Sequence, residues 1–294
     1  MNKLKVVFIG GLTNGKIVYD YLVKNKYVNL QLVITYSDNT NKPRFIQFSD
    51  ADNIIKSDRA NDHIENIQRL SPDLIFVVGW SELLKEEILN IPPKGVIGFH
   101  PAKLPKDRGR SVLAWQIEEG YTETALTMFY YNDFPDGGDI IAQEKIKIEE
   151  NDYINDVLDK VDCAIYNLMK AYFPLIRQGK APRVKQNISE GYFRRLRTDR
   201  DSLINWNKNS EVIYNKIRAI SKPYPGAYFC QNEKKIKVWK SKIINNYYLL
   251  KKFESENCGT CLAKLKDSKY WIKTKNGILE IVSNAHINVG ENDQ

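Results

Sequence analysis

Two segments carry the residue types that could do chemistry. Gly98-Phe99-His100-Pro101-Ala102-Lys103-Leu104-Pro105-Lys106-Asp107-Arg108-Gly109-Arg110 supplies an imidazole and a cluster of cations, and Asn132-Asp133-Phe134-Pro135-Asp136-Gly137-Gly138-Asp139 supplies carboxylates in a turn-rich setting. A carboxylate beside a histidine orients the ring and raises its basicity, as a general base near neutral pH requires. His100 and Asp139 are the pair expected to meet in this way. They lie far apart in the chain, so only the fold can join them. The residues alone also admit a plainer reading, a surface histidine and an aspartate that caps a turn.

The elements that must position these groups are legible in the apolar pattern. Gly95 to Phe99 reads as a short buried strand, which sets His100 at its C-terminal end, where parallel α/β sheets place ligands. Pro101 and Pro105 forbid a regular helix after it. Leu126 to Tyr131 is a second β-rich run, closed by turn residues, and Ile140 to Ala142 opens a third. Upstream, strand-like runs at Val6–Gly10, Leu30–Tyr36, Leu74–Val78 and Val96–Phe99 alternate with helical candidates around Lys16–Lys24, Asp62–Arg69 and Glu82–Leu89. This alternation predicts an α/β domain with a Rossmann-like, mostly parallel sheet. A helix over Ile154–Phe173, with Ile154, Val157, Leu158, Val161, Ile165, Leu168 and Met169 on one side, should close it.

The expected organisation is a catalytic domain over residues 1–182, a basic linker over 183–201 and a smaller OB-like β-barrel domain over 202–294, opening with a helix near Asn209–Ile220 and containing strands such as Ile236–Trp239 and Ile278–Val282. The formal charge of +8 is concentrated there: residues 201–294 hold 16 Lys or Arg against 9 Asp or Glu, whereas the rest balances at 28 against 27. A basic domain of this kind serves RNA, an anionic small molecule or simple solubility. Tyr228, Phe229, Trp239, Tyr247 and Tyr248 could stack on bases, although their spacings suit a core.

Other features weigh less. Gly10-Gly11-Leu12-Thr13-Asn14-Gly15-Lys16-Ile17 approaches a phosphate-cradling loop, but Ile17 stands where a hydroxyl would ligate magnesium and Leu12 where a second dinucleotide glycine belongs, so a tight strand-to-helix turn is the reading preferred. Cys258-Gly259-Thr260-Cys261 has no second ligand pair and is read as structural, with no metal expected. No run reaches the length of a membrane span and the start leads straight into a strand, so a cytoplasmic location is expected. His63 and His286 stand in no constellation.

The two opening segments resemble the folate-dependent formyltransferase family, whose usual core is Asn-x-His-Pro-Ser-Leu-Leu-Pro, a downstream Arg-Gly and an Asp-x-Gly-x-Asp-x-Gly-Asp loop. The matching positions are His100, Pro101, Leu104, Pro105, Arg108, Gly109, Asp136, Gly138 and Asp139, and the resemblance continues at Val77–Leu84, Ile204–Trp206 and Ile217–Phe229. It implies transfer of a formyl group from 10-formyltetrahydrofolate to a primary amine, with His100 as base or as partner of the oxyanion and Asp139 orienting it. By the same resemblance the co-substrate lies against Val78, Trp80, Leu83, Asp133, Phe134, Asp136 and Gly138. Gly98 departs from the pattern: the family asparagine that helps hold the oxyanion is replaced by a residue offering only its backbone N–H. Protonated His100 or a water would then recover the lost donor.

Which amine is accepted separates two members of that family. Residues 38–45 are short and lack the Gly/Lys/Arg-rich insertion of methionyl-tRNA formyltransferases, whereas the 104–110 and 218–228 segments look like nucleotide-sugar N-formyltransferases. The expected partner is therefore a nucleotide-linked amino sugar, with a 4-amino-4,6-dideoxyhexose and O-antigen biosynthesis as the implied setting. Gly11, Lys103, Lys106, Arg108, Arg110 and Tyr224 are the residues expected on it, solvated loop cations being the alternative for the charged ones. Methionyl-tRNA formylation is the first alternative function and non-enzymatic RNA binding the second. Neither a membrane nor nucleic acid is an expected partner, and the basic domain is assigned to substrate contact or to assembly, a homodimer being the assembly considered.

Overall fold

The computed structural model describes residues 3–48 and 53–290, which divide into two compact units. The first comprises residues 1–112, 123–147 and 158–194. Its elements in chain order are β1 (Leu4–Gly10), α1 (Thr13–Val23), β2 (Val28–Thr35), β3 (Ile54–Lys56), α2 (Ile64–Leu70), β4 (Leu74–Val78), α3 (Glu86–Leu89), β5 (Val96–His100) and β6 (Arg108–Gly109). After α4 (Val112–Glu118), which falls almost wholly in the second unit, come β7 (Glu123–Tyr130), β8 (Ile140–Lys147), the long α5 (Ile154–Gln178) and β9 (Phe193–Arg194).

The sheet runs β3-β2-β1-β4-β5-β7-β8. Its first five strands are parallel, and β7 and β8 extend it antiparallel. β4 is apolar and buried at every position, and β1 from Val6 onward, because both faces are covered, as expected where crossover helices flank a parallel sheet. Val7, Ile9, Ile34, Ile75 and Val77 form one face of the core with Ile67 and Ile88. Phe76 approaches Phe173 of α5 at 6.3 Å between ring centroids. Burying each such aromatic stabilises the fold by about 1.5–3 kcal/mol. Strand order reverses beside β1, so the carboxyl ends of β1, β4 and β5 define the edge at which this architecture receives ligands.

The helix expected over Glu82–Leu89 is helical only at Glu86–Leu89. The Glu82 carboxylate is used elsewhere: Oε2 accepts the Ala60 amide at 2.6 Å and Oε1 the Asn61 side chain at 2.8 Å. Asn61 in turn accepts the Lys85 amide, so this stretch is a pinned loop. The turn expected within Gly10–Ile17 is confined to Gly11 and Leu12, because α1 already begins at Thr13, with Lys16 paired to Asp20 one helical turn away on α1.

The second unit comprises residues 113–122, 148–157 and 195–294. It contains α6 (Ser210–Ala219), β10 (Ala227–Gln231), β11 (Lys234–Val238), β12 (Lys240–Ile243), α7 (Tyr247–Lys252), β13 (Cys261–Lys264), β14 (Lys269–Lys273) and β15 (Ile278–Val282). β10 and β11 form an antiparallel hairpin, and β12-β15-β14-β13 an antiparallel sheet. Tyr228 and Phe229 are buried in this unit, while Tyr247 and Tyr248 stand exposed on α7. Cys261 begins β13 as a buried free thiol, and burial pushes its pKa up. Among the described residues no group of His, Cys, Asp and Glu is placed to hold a metal ion, and no helix is long and apolar enough to cross a membrane.

Candidate active site

His100 ends β5, buried, and both of its ring nitrogens face protein groups. Nε2 lies 2.7 Å from the backbone carbonyl of Asp107, so Nε2 must carry a proton and donate it. Nδ1 is then the nitrogen left to exchange a proton, and Asp136 Oδ1 stands 3.6 Å from it. That separation is an ion-pair distance, longer than a direct hydrogen bond. The other oxygen of Asp136 accepts the Gly109 amide at 2.8 Å. Asp107 and Asp136 both adopt left-handed backbone, with φ of 53° and 52°. Aspartate tolerates this conformation better than most residues, and such outliers concentrate where a site fixes its geometry.

The carboxylate facing His100 is therefore Asp136, and the expected pairing with Asp139 is corrected. Asp139 lies three residues further on, where its carboxylate stands 3.9 Å from Arg183 and its carbonyl accepts the Tyr130 amide. The reason is the tight reversal at Gly137 and Gly138: a Cβ at Gly138 would overlap the Tyr130 carbonyl, so the chain hugs β7 there and carries residue 139 back onto the sheet.

Several polar side chains hold this arrangement, and none was evident from the sequence. The Thr127 hydroxyl donates to the Ala102 carbonyl at 2.6 Å, and the Gln143 amide donates to Thr127 Oγ1 and to the Leu104 carbonyl, both at 2.9 Å. These bonds fasten the 101–105 loop to β7 and β8. Gln186 donates to the carbonyls of Asp136 at 2.9 Å and Gly138 at 2.7 Å, clamping the turn. Arg194 Nε meets Asp107 Oδ1 at 2.6 Å in a partly buried pair that fixes the residue whose carbonyl is offered to His100. Residues 183–194, a polar basic stretch in the sequence, thus belong to the first unit and buttress its site.

The remaining expected residues are distributed as follows. Val78 is buried at the end of β4, and Trp80 stacks on Tyr36 at 4.2 Å and 11°. Tyr36 also packs against Gly11. Leu83 is 68 % exposed and Phe134 39 % exposed, with Asp133 exposed beside it. Lys103, Lys106 and Arg110 are exposed in the loop after β5. Arg108 is not available in the same way. It is 3 % exposed, its guanidinium 5.1 Å from the ring centre of Phe134 and 4.6 Å from that of Phe193, with Nη2 donating to the Ile188 carbonyl. This placement corrects its expected contact with a substrate diphosphate. Tyr224 lies in the second unit, in the segment between α6 and β10. At Gly98, the space a side chain would take is filled by the ring of Tyr131.

His100, facing Asp136, thus stands at the carboxyl end of a parallel strand in an α/β fold. The family model "Formyl transferase" matches residues 4–171 and "Formyl transferase, C-terminal domain" matches residues 197–287. The chain belongs to the formyl transferase family. Among solved structures it is similar to the N-formyltransferase of Helicobacter canadensis in complex with folinic acid and dTDP-3-aminofucose, at 20% identity and a TM-score of 0.69, covering 95% of this chain and 99% of that one. It is also similar to WlaRD, a sugar 3N-formyl transferase, at 17% identity and a TM-score of 0.68, over 98% and 100% of the two chains. Aquifex aeolicus HypX, in complex with tetrahydrofolic acid, matches at 17% identity and a TM-score of 0.71, covering 95% of this chain; the chain spans 44% of HypX's length. At these identities the likeness is one of fold.

Proposed function

We propose that the protein transfers a formyl group from 10-formyltetrahydrofolate to the primary amine of a nucleotide-linked amino sugar. The observation that carries this reading is the His100–Asp136 arrangement at the end of β5 in a member of the formyl transferase family. The full-length likeness to sugar N-formyltransferases supports the acceptor class.

The residues present fit a folate donor. Exposed Leu83 and Phe134 give apolar surface for a flat heterocycle, each on backbone fixed by a side-chain hydrogen bond, from Asn61 to the Leu83 carbonyl and from the Phe134 amide to Asn132. The donor supplies an activated formyl carbon. In the proposed reaction the acceptor nitrogen bonds to that carbon, the bond to N10 breaks, N10 gains a proton and the acceptor nitrogen loses one. His100 Nδ1 is the site through which the chain moves that proton, because Nε2 is committed to Asp107. Asp136 orients the ring and stabilises it when cationic. Lys103, Lys106 and Arg110 are the cations open to a diphosphate.

The test is incubation with 10-formyltetrahydrofolate and a panel of nucleotide-linked 3-amino and 4-amino sugars, with mass spectrometry of the products. Gain of one formyl group on a sugar is the expected result, and the 4-amino-4,6-dideoxyhexoses are the first compounds to try. Formylation of methionyl-tRNA with none on any sugar would overturn the acceptor; no transfer to either would overturn the reaction.

A further inference from the structure

Gly98 and His100 point from the same face of β5, because alternate residues of a strand share a face. Opposite them on β7, Gly98 pairs with Phe129 and His100 with Thr127. Tyr131 follows one step beyond the strand, its amide held by the Val96 carbonyl at 2.8 Å. Its ring stacks on Phe129 with centroids 5.1 Å apart and planes at 22°. This lays the tyrosine along the face that Gly98 leaves open. A Cβ built on Gly98 would come within 2.8 Å of Tyr131 Cζ and 2.9 Å of its hydroxyl oxygen. The phenol therefore begins where a side chain at 98 would begin.

Three further observations bear on what this hydroxyl can do. It makes no hydrogen bond to the described residues. Burial, the charge of Asp136 and Tyr36 together hold its pKa well above the ordinary tyrosine value, so it stays a donor. The space it fills belongs to Gly98, two residues before His100 on the same face of β5.

We propose that Tyr131 is a catalytic residue whose phenol O–H donates to the developing oxyanion of the formyl group, in place of a side-chain amide from position 98. The inference rests on the formyl-transfer reading above. It also changes the meaning of Gly98. The glycine is the vacancy that admits the tyrosine, and an asparagine added alone would collide with the ring instead of restoring a donor.

Tyr131→Phe keeps the ring and its stacking while deleting one hydroxyl. Losing a single oxyanion donor lowers kcat by about 10²–10³, with KM for the folate donor and the thermal unfolding midpoint unchanged. A binding measurement separates this role from a structural one. Calorimetry should show the variant binding tetrahydrofolate as the wild type does. It should bind a folate analogue bearing a tetrahedral hydroxylated carbon on N10 more weakly by a factor of the same order. The double variant Gly98→Asn/Tyr131→Ala, which makes room for an amide, should recover activity over Tyr131→Ala. A wild-type enzyme that formylates a sugar while Tyr131→Phe keeps its kcat and its affinity for the tetrahedral analogue overturns this inference and leaves the reaction standing. A wild type that transfers no formyl group overturns both.

Discussion

Asp136 divides its carboxylate between two tasks, one oxygen accepting the Gly109 amide at 2.8 Å and the other facing His100 Nδ1 at 3.6 Å. The first bond sets the angle of the second contact. A charged group fixed by backbone needs no reorganisation when the imidazole becomes cationic. Asp136→Asn should therefore lower kcat by about 10²–10⁴, the range for loss of general base support. Asp139→Asn, which touches the Arg183 side of the turn, should leave kcat near the wild-type value. Steady-state kinetics on the two variants checks the assignment, and equal losses would refute it.

The turn that carries Asp136 is held by Gln186 through two hydrogen bonds. Each such bond contributes about 1 kcal/mol net. Gln186→Leu should release Asp136 and Phe134 together, raising KM for the folate donor and lowering kcat, with only a small change in the unfolding midpoint. An unaltered KM would mean that the turn holds its shape without the clamp.

Arg44 meets Asp162 of α5 at 2.5 Å, both side chains being mostly covered. Arg44→Leu should cost about 2 kcal/mol in denaturant unfolding, as expected when a partly buried charge loses its partner. Burial already pushes the Asp162 carboxyl upward despite Arg44. A carboxyl whose folded value exceeds its unfolded value near 4 binds its proton more tightly in the folded state. Its penalty is absent at lower pH and grows as pH rises through the folded value. The deficit of the variant should thus be smaller at acid pH than at neutrality, and a deficit that grows toward acid would contradict the placement.

In the second unit Arg195 donates to both oxygens of Asp201, at 2.7 and 2.6 Å, and Thr198 adds its amide at 2.6 Å. These bonds, the Arg195 contact foremost, hold the Asp201 carboxyl well below the usual carboxylate range. With a depressed folded value, the stabilisation is fully present above about 4 and is lost as pH falls toward the folded value. Thermal unfolding of the wild type should weaken through that window more than unfolding of Asp201→Asn. Parallel pH profiles would show that Asp201 contributes nothing.

What could be read in the sequence follows from how local each signal is. Leu74–Val78 is an uninterrupted apolar run, and the strand has those bounds in the structure. His100 was placed at a strand end because the run Val96–Phe99 stops there and prolines follow. Choosing between Asp136 and Asp139 required the point at which the chain reverses, and in a turn with adjacent glycines several reversals are sterically open. Gly98 was visible as a gap, yet Tyr131 was not visible as its occupant, since the two meet only through the register of β5 against β7. Gln143 and Gln186 carry no periodic signature, and Arg194 is one cation in a basic run, so none of their contacts shows in the sequence.

The tether from His100 Nε2 to the Asp107 carbonyl gives the imidazole a fixed handedness. Protons enter and leave by one nitrogen only, and an amine presented to the other edge of the ring meets backbone instead of a base. For the proposed reaction, selection among amino sugars then begins as stereochemistry: the angle at which a pyranose carries its nitrogen decides whether it faces the working edge before any loop cation has touched a phosphate.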